Sequence, residues 1–294
     1  MALTIAADVL KQFDRLSFVM RRPAGAGLGG EHRSRRPSPS TEFLDYRPYQ
    51  PGDDFRRIDW NVYGRLGSLQ VKVTEGRQRL EVILVLDCSS SMDAGTPDKL
   101  SFAADITAAL AYVGMSRADS VRVLCLGRDR LSAELGPFGR RSRMPELMAG
   151  LKRIAPVVGA VDLNGAIETC RDAASRQTLV LVVSDLLTSD GVAGGLGALQ
   201  ARLADVVVVH VVSPDELDPR LSGEVELVDA ETNRVLELGI SLETLAAYRA
   251  RYAAWLDERA AECRTRGIRY ARVRTDQPLN MVILDQLRSA GILR

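Results

Sequence analysis

An aspartate and two serines follow a short apolar run in the first third of the chain. Asp87, Ser89 and Ser91 alternate with other residues directly after residues 82–86, so in an extended loop their side chains can converge on one side. One carboxylate and two hydroxyls are hard oxygen donors of the kind that Mg²⁺ accepts. Serine and aspartate after a strand are also common turn and helix-cap residues. The pattern alone leaves both interpretations open.

A second aspartate, Asp185, follows another apolar run at residues 179–183. In a doubly wound sheet, ligand crevices form at the carboxyl ends of the strands, so we expect Asp87 and Asp185 to open into one crevice. Asp162 is a further candidate ligand, because it lies in the loop before a predicted helix. Capping of that helix is at least as good an explanation for Asp162.

The elements that must position these residues alternate between strands and helices. This order is typical of an α/β fold, and we predict a doubly wound, mostly parallel six-stranded sheet of the Rossmann type within a domain at residues 80–294. A hairpin insertion is expected at about residues 213–240, before a long helix at about 241–266 whose apolar residues, including Leu242 and Leu256, favour a core position. The predicted strands are 82–86, 121–126, 130–135, 179–183, 206–212 and 269–273.

Residues 1–79 differ in composition from the rest. We predict a helix at about residues 5–19, then an irregular segment rich in Gly, Pro, Ser and Arg, and then a charged and aromatic segment packed on the main domain. Residues 21–79 contain twelve Lys and Arg against seven Asp and Glu. This excess favours either an anion- or partner-binding face or a solvated loop.

Composition and missing motifs narrow the function classes. With 294 residues, 46% of them hydrophobic, and a formal net charge of +1, the chain can bury a large core and has no overall drive toward nucleic acid or a membrane surface. The four cysteines are widely spaced and predict reduced core residues. Since no apolar run approaches the ~20 residues of a membrane span, we expect a cytoplasmic protein without membrane insertion.

Enzyme signatures are sparse. The sequence has no GxSxG, GxxxxGK[ST] or HExxH motif and only two histidines, His32 and His210, so a Ser-His-acid triad has almost nothing from which to form. His210 lies within an apolar run and is interpreted as a core residue.

The Asp87-x-Ser89-x-Ser91 run, with Asp185 after a later strand, resembles the metal-ion-dependent adhesion site of von Willebrand factor A-type domains. That resemblance implies a divalent ion, Mg²⁺ or Mn²⁺, that accepts a carboxylate from a partner protein. In that family a threonine from a second loop also ligates the ion. This chain has Val161 at that place, next to Asp162, and valine has no oxygen to offer. The resemblance therefore leaves open a site with Asp162 or water in that role, or one without metal.

A second motif lies upstream and is more specific. It resembles the signature of the bacterial domain-of-unknown-function family fifty-eight, which joins such a segment to an A-type domain, and the similarity covers most of residues 28–290. The motif residues are a candidate structural or partner-binding surface. They are Arg47, Tyr49, Gly52, Asp53, Asp54, Arg56, Asp59 and Trp60.

The family resemblance implies a protein-binding or assembly factor that is not an enzyme. Members resemble partners of MoxR-type AAA+ ATPases, so the implied role is that of an adaptor or a metal-insertion chaperone. Two other hypotheses remain: a metal-dependent phosphoesterase that uses the same carboxylates, and a structural module with a vacant metal site.

Overall fold

The computed structural model describes residues 5, 7–21, 41–76, 79–128, 131–157, 162–174, 178–188, 191–202, 204–229 and 234–294. The chain divides into two compact units, a sheet unit of residues 1–23 and 80–294 and a smaller unit of residues 24–79. The predicted N-terminal region, residues 1–79, is therefore divided between the two units.

The strands of the described residues are β1 (Thr41–Pro48), β2 (Gln70–Gly76), β3 (Glu81–Leu86), β4 (Ser120–Leu126), β5 (Leu131–Phe138), β6 (Thr178–Ser184), β7 (Asp205–Val212), β8 (Gly223–Val228), β9 (Val235–Ile240) and β10 (Arg269–Arg274). The α-helices are α1 (Ala7–Lys11), α2 (Trp60–Leu66), α3 (Lys99–Ser116), α4 (Met144–Lys152), α5 (Leu163–Thr169), α6 (Ala193–Ala201), α7 (Pro214–Leu217), α8 (Leu242–Thr265), α9 (Leu279–Met281) and α10 (Leu287–Ser289).

Six of these strands form one sheet in the order β10-β7-β6-β3-β4-β5. The first five strands in this order pair in parallel, and β5, the outermost strand, pairs antiparallel with β4. The predicted α/β fold with a mostly parallel six-stranded sheet is confirmed. Because β3, β6 and β7 run in the same direction, one edge of the sheet carries all their carboxyl ends and the opposite edge all their amino ends.

The central strands are buried on both faces because nearly all their side chains are apolar. In β3, Val82, Leu84 and Leu86 face one hydrophobic layer, whereas Ile83 and Val85 face the other. Helix α3 covers the first layer and is buried along almost its whole length. Its many alanines let the helix approach the sheet closely.

The predicted helix at residues 5–19 is wrong in extent. Helix α1 ends at Lys11, and Phe18 instead forms a β-bridge with Leu293 near the end of the chain. The backbone of Ser17 exchanges hydrogen bonds with Arg294 at 3.1 and 3.0 Å. Phe13 is nevertheless fully buried, so the apolar spacing indicated burial correctly but not conformation.

The region between β7 and β10 contains a hairpin and a long helix. Strands β8 and β9 pair antiparallel, and Ser241 caps α8 by accepting from the Thr244 N–H at 3.1 Å. Leu256 is buried in the second half of α8, but Leu242 is 87% exposed. The predicted core position of Leu242 is therefore wrong, since the first turns of α8 extend beyond the sheet's hydrophobic layers.

In the smaller unit, β1 and β2 pair antiparallel, and α2 lies between them in the sequence.

All four cysteines are free and buried, as predicted. Within the described residues, no helix has both the length and the apolar character needed to cross a membrane.

Candidate functional site

Two buried aspartates follow neighbouring parallel strands at the carboxyl edge of the sheet. Leu86 of β3 is in register with Val183 of β6, and the Asp87 N–H donates to the Val183 carbonyl at 3.0 Å. This pairing brings Asp87 and Asp185 close enough that the charge of Asp185 raises the pKa of Asp87. The sheet register therefore produces the expected convergence of the two carboxylates.

The hydrogen bonds to Asp87 only partly compensate the negative charge of its buried carboxylate. Asp87 is 1% exposed, and its Oδ1 accepts from the Ser89 N–H at 2.9 Å while Oδ2 accepts from the Ser184 hydroxyl at 2.5 Å. Burial, followed by the charge of Asp185, raises the pKa of Asp87 to about 6 despite these hydrogen bonds. A nearby cation would favour the ionised form and offset both effects.

The two predicted serines lie beside Asp87. Ser89 Oγ and Ser91 Oγ are 2.9 Å apart, at the start of a 3₁₀ helix that runs from Ser90 to Asp93. Ser89 also forms a parallel β-bridge with Val157, which fixes the loop against a neighbouring segment. One of the two hydroxyls thus donates to the other, so both oxygens lie on the same side of the loop.

Asp185 has a protein cation as its partner, which the sequence reasoning missed. Lys99 is fully buried at the start of α3, and its Nζ donates to Asp185 Oδ2 at 2.7 Å and also to Glu216. Burial lowers the pKa of Lys99, but the charges of Asp185 and Glu216 outweigh burial and raise it above its usual value. The available signal was a lysine in the first helical turn, where the helix dipole disfavours a positive charge.

Glu216 links this ion pair to a second loop. In the capping box of α7, Glu216 Oε2 accepts from the Ser213 N–H at 2.9 Å, and it also accepts from the Tyr252 hydroxyl at 3.2 Å. A side chain at Gly95 would bring its Cβ to 2.6 Å from Ser213 Oγ. Gly95, at φ +96°, therefore permits the close approach of the loop after Ser91 to Ser213.

The turn after β6 has strained backbone geometry. Leu186 has φ +55°, a left-handed conformation that leucine rarely adopts. The Leu186 N–H donates to Ser184 Oγ at 2.9 Å and the Leu187 N–H donates to Asp185 Oδ1 at 3.1 Å. These side-chain acceptors hold the turn that directs Asp185 toward Lys99.

Asp162 has the contacts of a helix cap. Its Oδ1 accepts from the Gly165 N–H at 2.9 Å at the start of α5, and the residue is exposed. The structure thus gives Asp162 the alternative role that the sequence left open. Val161, the departure from the adhesion-site pattern, lies outside the described residues.

The described part of the chain contains no group of three or more His, Cys, Asp or Glu residues arranged to hold a metal ion. An ion at the carboxyl edge would therefore also draw on the hydroxyls of Ser89 and Ser91 and on water. This oxygen-only donor set fits a hard cation such as Mg²⁺, which commonly keeps several waters. The uncompensated charge of Asp87 fits it as well.

His210 is a core residue, as predicted. It is fully buried, its Nδ1 lies 2.7 Å from the Tyr270 hydroxyl, and burial lowers its pKa to about 3. A neutral histidine in this position supports packing within the sheet unit.

The upstream motif has mainly structural contacts inside the smaller unit. The Arg47 guanidinium forms two hydrogen bonds of 2.6 Å with the Asp53 carboxylate. Asp54 instead caps a 3₁₀ helix by accepting from the Arg56 N–H at 3.0 Å. These contacts fix the loop between β1 and α2.

The remaining motif residues complete this loop and expose one aromatic side chain. Asp59 caps α2 by accepting from the Asn61 N–H at 3.0 Å and also accepts from the Tyr46 hydroxyl at 2.8 Å. Gly52 has φ +103°, and the Tyr49 N–H donates to the Leu69 carbonyl at 2.9 Å. Trp60 is 61% exposed and meets Tyr63 edge to face.

Two solved structures from Bacteroides species match this chain over most of its length. The conserved hypothetical protein BatB from Bacteroides thetaiotaomicron is 18% identical, with a TM-score of 0.44 over 72% of this chain and 98% of that chain. An aerotolerance-related membrane protein from Bacteroides fragilis is also 18% identical, with a TM-score of 0.45 over the same shares.

Sequence relatives are found in mycobacteria. The uncharacterised proteins Rv1480 of Mycobacterium tuberculosis and Mb1516 of Mycobacterium bovis are each 28% identical over 236 residues, which are 76% of this chain and 72% of the relative. The model of the family described as protein of unknown function DUF58 matches residues 45–262, well over half of the chain. The chain therefore belongs to the DUF58 family, as the upstream motif predicted.

Proposed function

We propose that this protein is a non-enzymatic binding or assembly factor that engages a partner protein at the carboxyl edge of its sheet. The observation that carries the proposal is the buried, incompletely compensated Asp87 beside two serine hydroxyls and a second carboxylate. Such a site favours a cation, and a hard cation with open positions accepts a carboxylate from another molecule.

Mg²⁺ or Mn²⁺ would be held by Asp87, Ser89 and Ser91, with Asp185 nearby. When bound, the ion would supply positive charge for an Asp or Glu side chain of the partner. The ammonium group of Lys99 pairs with Asp185 and Glu216, and Asp87 lies close enough for the charge of Asp185 to raise its pKa. A divalent ion would balance the remaining charge when Asp87 is ionised. The arrangement supports the finer assignment to a von Willebrand factor A-like fold.

The partner class in this proposal rests on the resemblance noted in the sequence. We propose a MoxR-type AAA+ ATPase, or a client of such an ATPase, as the partner, and a cytoplasmic location for the complex. The motif around Asp53, Asp54 and Trp60 would then act as a scaffold, with the exposed Trp60 available as a second contact.

The test combines ion binding with partner binding. Mn²⁺ titration should raise the thermal midpoint progressively with the logarithm of the ion concentration above the Kd, because a ligand that binds only the folded state stabilises it by about 2.7 kcal/mol at 100 times its Kd. Asp87→Asn should abolish this shift. It should also abolish binding of the purified MoxR-type ATPase from the same organism, which EDTA should weaken in the wild type.

Asp276→Asn is the matched control. Asp276 also follows a strand at the carboxyl edge, but it is paired with Arg274 at 2.5 Å on the surface. The control should retain the shift and the binding. The proposal is contradicted by equal Mn²⁺ shifts in wild type and Asp87→Asn, or by phosphoester turnover that Asp87→Asn removes.

A further inference from the structure

A cleft rich in arginine lies at the amino edge of the sheet, opposite the candidate metal site. It has a volume of about 250 Å³, and its lining includes Arg21, Arg264 and Arg269 together with Gly267 and Tyr270. All of these residues belong to the sheet unit. The cleft adjoins the starts of β7 and β10, where Asp205 and Arg269 form an ion pair of 2.8 Å.

Arg269 is the buried cation behind this cleft. Its side chain is 1% exposed, and Nη1 donates to the carbonyls of Val19 and Gly291 at 2.6 and 2.7 Å. Its Nε is buried and has no hydrogen-bond partner among the described residues. A buried guanidinium normally has its donors satisfied, so one donor of Arg269 lacks the partner that such a group requires.

Positive charge exceeds negative charge around the cleft. Asp205 compensates Arg269 but also accepts from the backbone N–H of Arg21 at 2.7 Å. Within the part of the chain that the structure describes, no carboxylate pairs with the side chain of Arg21 or Arg264. Burial lowers the pKa of Arg269, and the charge of Arg21 acts in the same direction, although Asp205 opposes both.

The end of α8 does not cancel this excess. A helix C-terminus carries partial negative charge on its free carbonyls. Here Arg21 Nη1 donates to the Gly267 carbonyl at 3.4 Å, and Gln200 Nε2 donates to the Arg266 carbonyl at 2.9 Å. The carbonyls nearest the cleft are thus already in contact with donors.

We propose that this cleft is a binding site for a small tetrahedral oxyanion, either free phosphate or the phosphoryl group of a phosphomonoester. Arg21 and Arg264 would contact the anion directly, since guanidinium forks match phosphate oxygens. The buried Arg269 would increase the positive electrostatic potential in the cleft. The site shares no residue with the carboxyl edge, so it does not depend on the function proposed above.

Calorimetric titration at constant ionic strength tests the site with inorganic phosphate and with O-phosphoserine. At least one of the two ligands should bind saturably. The ligand with the lower Kd identifies the source of the phosphoryl group. The Arg21→Gln/Arg264→Gln double variant should weaken binding at least tenfold. Both side chains lie outside the Arg269–Asp205 pair, so the variant should keep the wild-type thermal midpoint without phosphate.

Arg251→Gln is the control, because Arg251 is an exposed arginine on the same helix α8. It should leave the affinity within twofold. Any of four results would overturn the proposal: no saturable binding of either ligand, unchanged affinity in the double variant, an equal loss in Arg251→Gln, or acetate binding as tight as phosphate.

Discussion

The two edges of the same sheet handle buried charge in opposite ways. At the carboxyl edge, Lys99 faces Asp185 and Glu216, while Asp87 pairs with no cation among the described residues. At the amino edge, Asp205 is the carboxylate beside Arg269, and Arg21 and Arg264 add positive charge. Each edge is thus incompletely neutralised, with opposite sign. The comparison indicates that internal ion pairs fix the loops, while the leftover charge determines what each edge can bind.

Removing the cation of the carboxyl edge should have the largest effect. Lys99→Met leaves two carboxylates of one buried network without a partner, and we expect a loss of about 4 kcal/mol in the free energy of unfolding. Urea denaturation measures this loss. Lys152→Met, at an exposed position in α4, should change stability by less than about 1 kcal/mol. A similarly small effect of Lys99→Met would refute the structural role of this ion pair.

The corresponding change at the amino edge should cost somewhat less. Arg269→Met removes the bonds to Val19 and Gly291, but Asp205 keeps the Arg21 N–H as a donor. We expect a loss of about 3 kcal/mol in urea denaturation. Arg272→Met in the same strand breaks a more exposed pair with Asp257 and should cost under about 1 kcal/mol. Equal losses for the two variants would contradict the larger contribution of the buried Arg269 to the free energy of unfolding.

The pH dependence of stability isolates Asp87. Its pKa is raised from 3.8 to about 6 in the folded state, so the native protein holds this proton more tightly than the unfolded chain does. The resulting stabilisation is complete below about pH 4 and is lost as pH rises through about 6. Without divalent ions, the wild type should lose on the order of 2 kcal/mol relative to Asp87→Asn between pH 4 and 7.

Chemical denaturation at each pH, in EDTA, gives this difference directly. Asp276→Asn should not reproduce the trend, because the Arg274 partner lowers the pKa of Asp276. A difference between wild type and Asp87→Asn that is constant with pH would contradict the uncompensated state of this carboxylate.

The smallest effect is expected at Asp162. Asp162→Ala removes the cap of α5 and should reduce the free energy of unfolding by about 1 kcal/mol. The Kd for Mn²⁺ should change less than twofold, because the contacts of Asp162 are those of a cap. Asp162→Ser, which can still cap, should restore the stability. A tenfold weaker Mn²⁺ affinity in both variants would instead place Asp162 among the ligands.

The local sequence pattern predicted much of the carboxyl edge of the sheet. The apolar runs of β3 and β6 indicated strands buried on both faces, and the residues that follow them had to lie at one edge because the strands are parallel. Asp87 and Asp185 could therefore be expected to lie close together. The same apolar runs made the six-stranded sheet predictable from one sequence.

Pairing over long separations could not be predicted in the same way. Lys99 lies 86 and 117 residues from Asp185 and Glu216, and no local pattern relates a lysine to such partners. The bridge between Phe18 and Leu293 likewise replaced the second half of the predicted first helix. In both cases, tertiary contacts outweighed local preference.

The chain has two tryptophans, and each compact unit contains one of them. Trp60 is exposed in the smaller unit, whereas Trp255 in α8 stacks on Tyr252 and meets His210 edge to face. Tryptophan fluorescence therefore contains one signal from each unit, and Trp60→Phe leaves the tryptophan emission of the sheet unit alone. Because Trp255 stacks on the tyrosine that donates to Glu216, that emission is a built-in optical reporter of the Lys99 network.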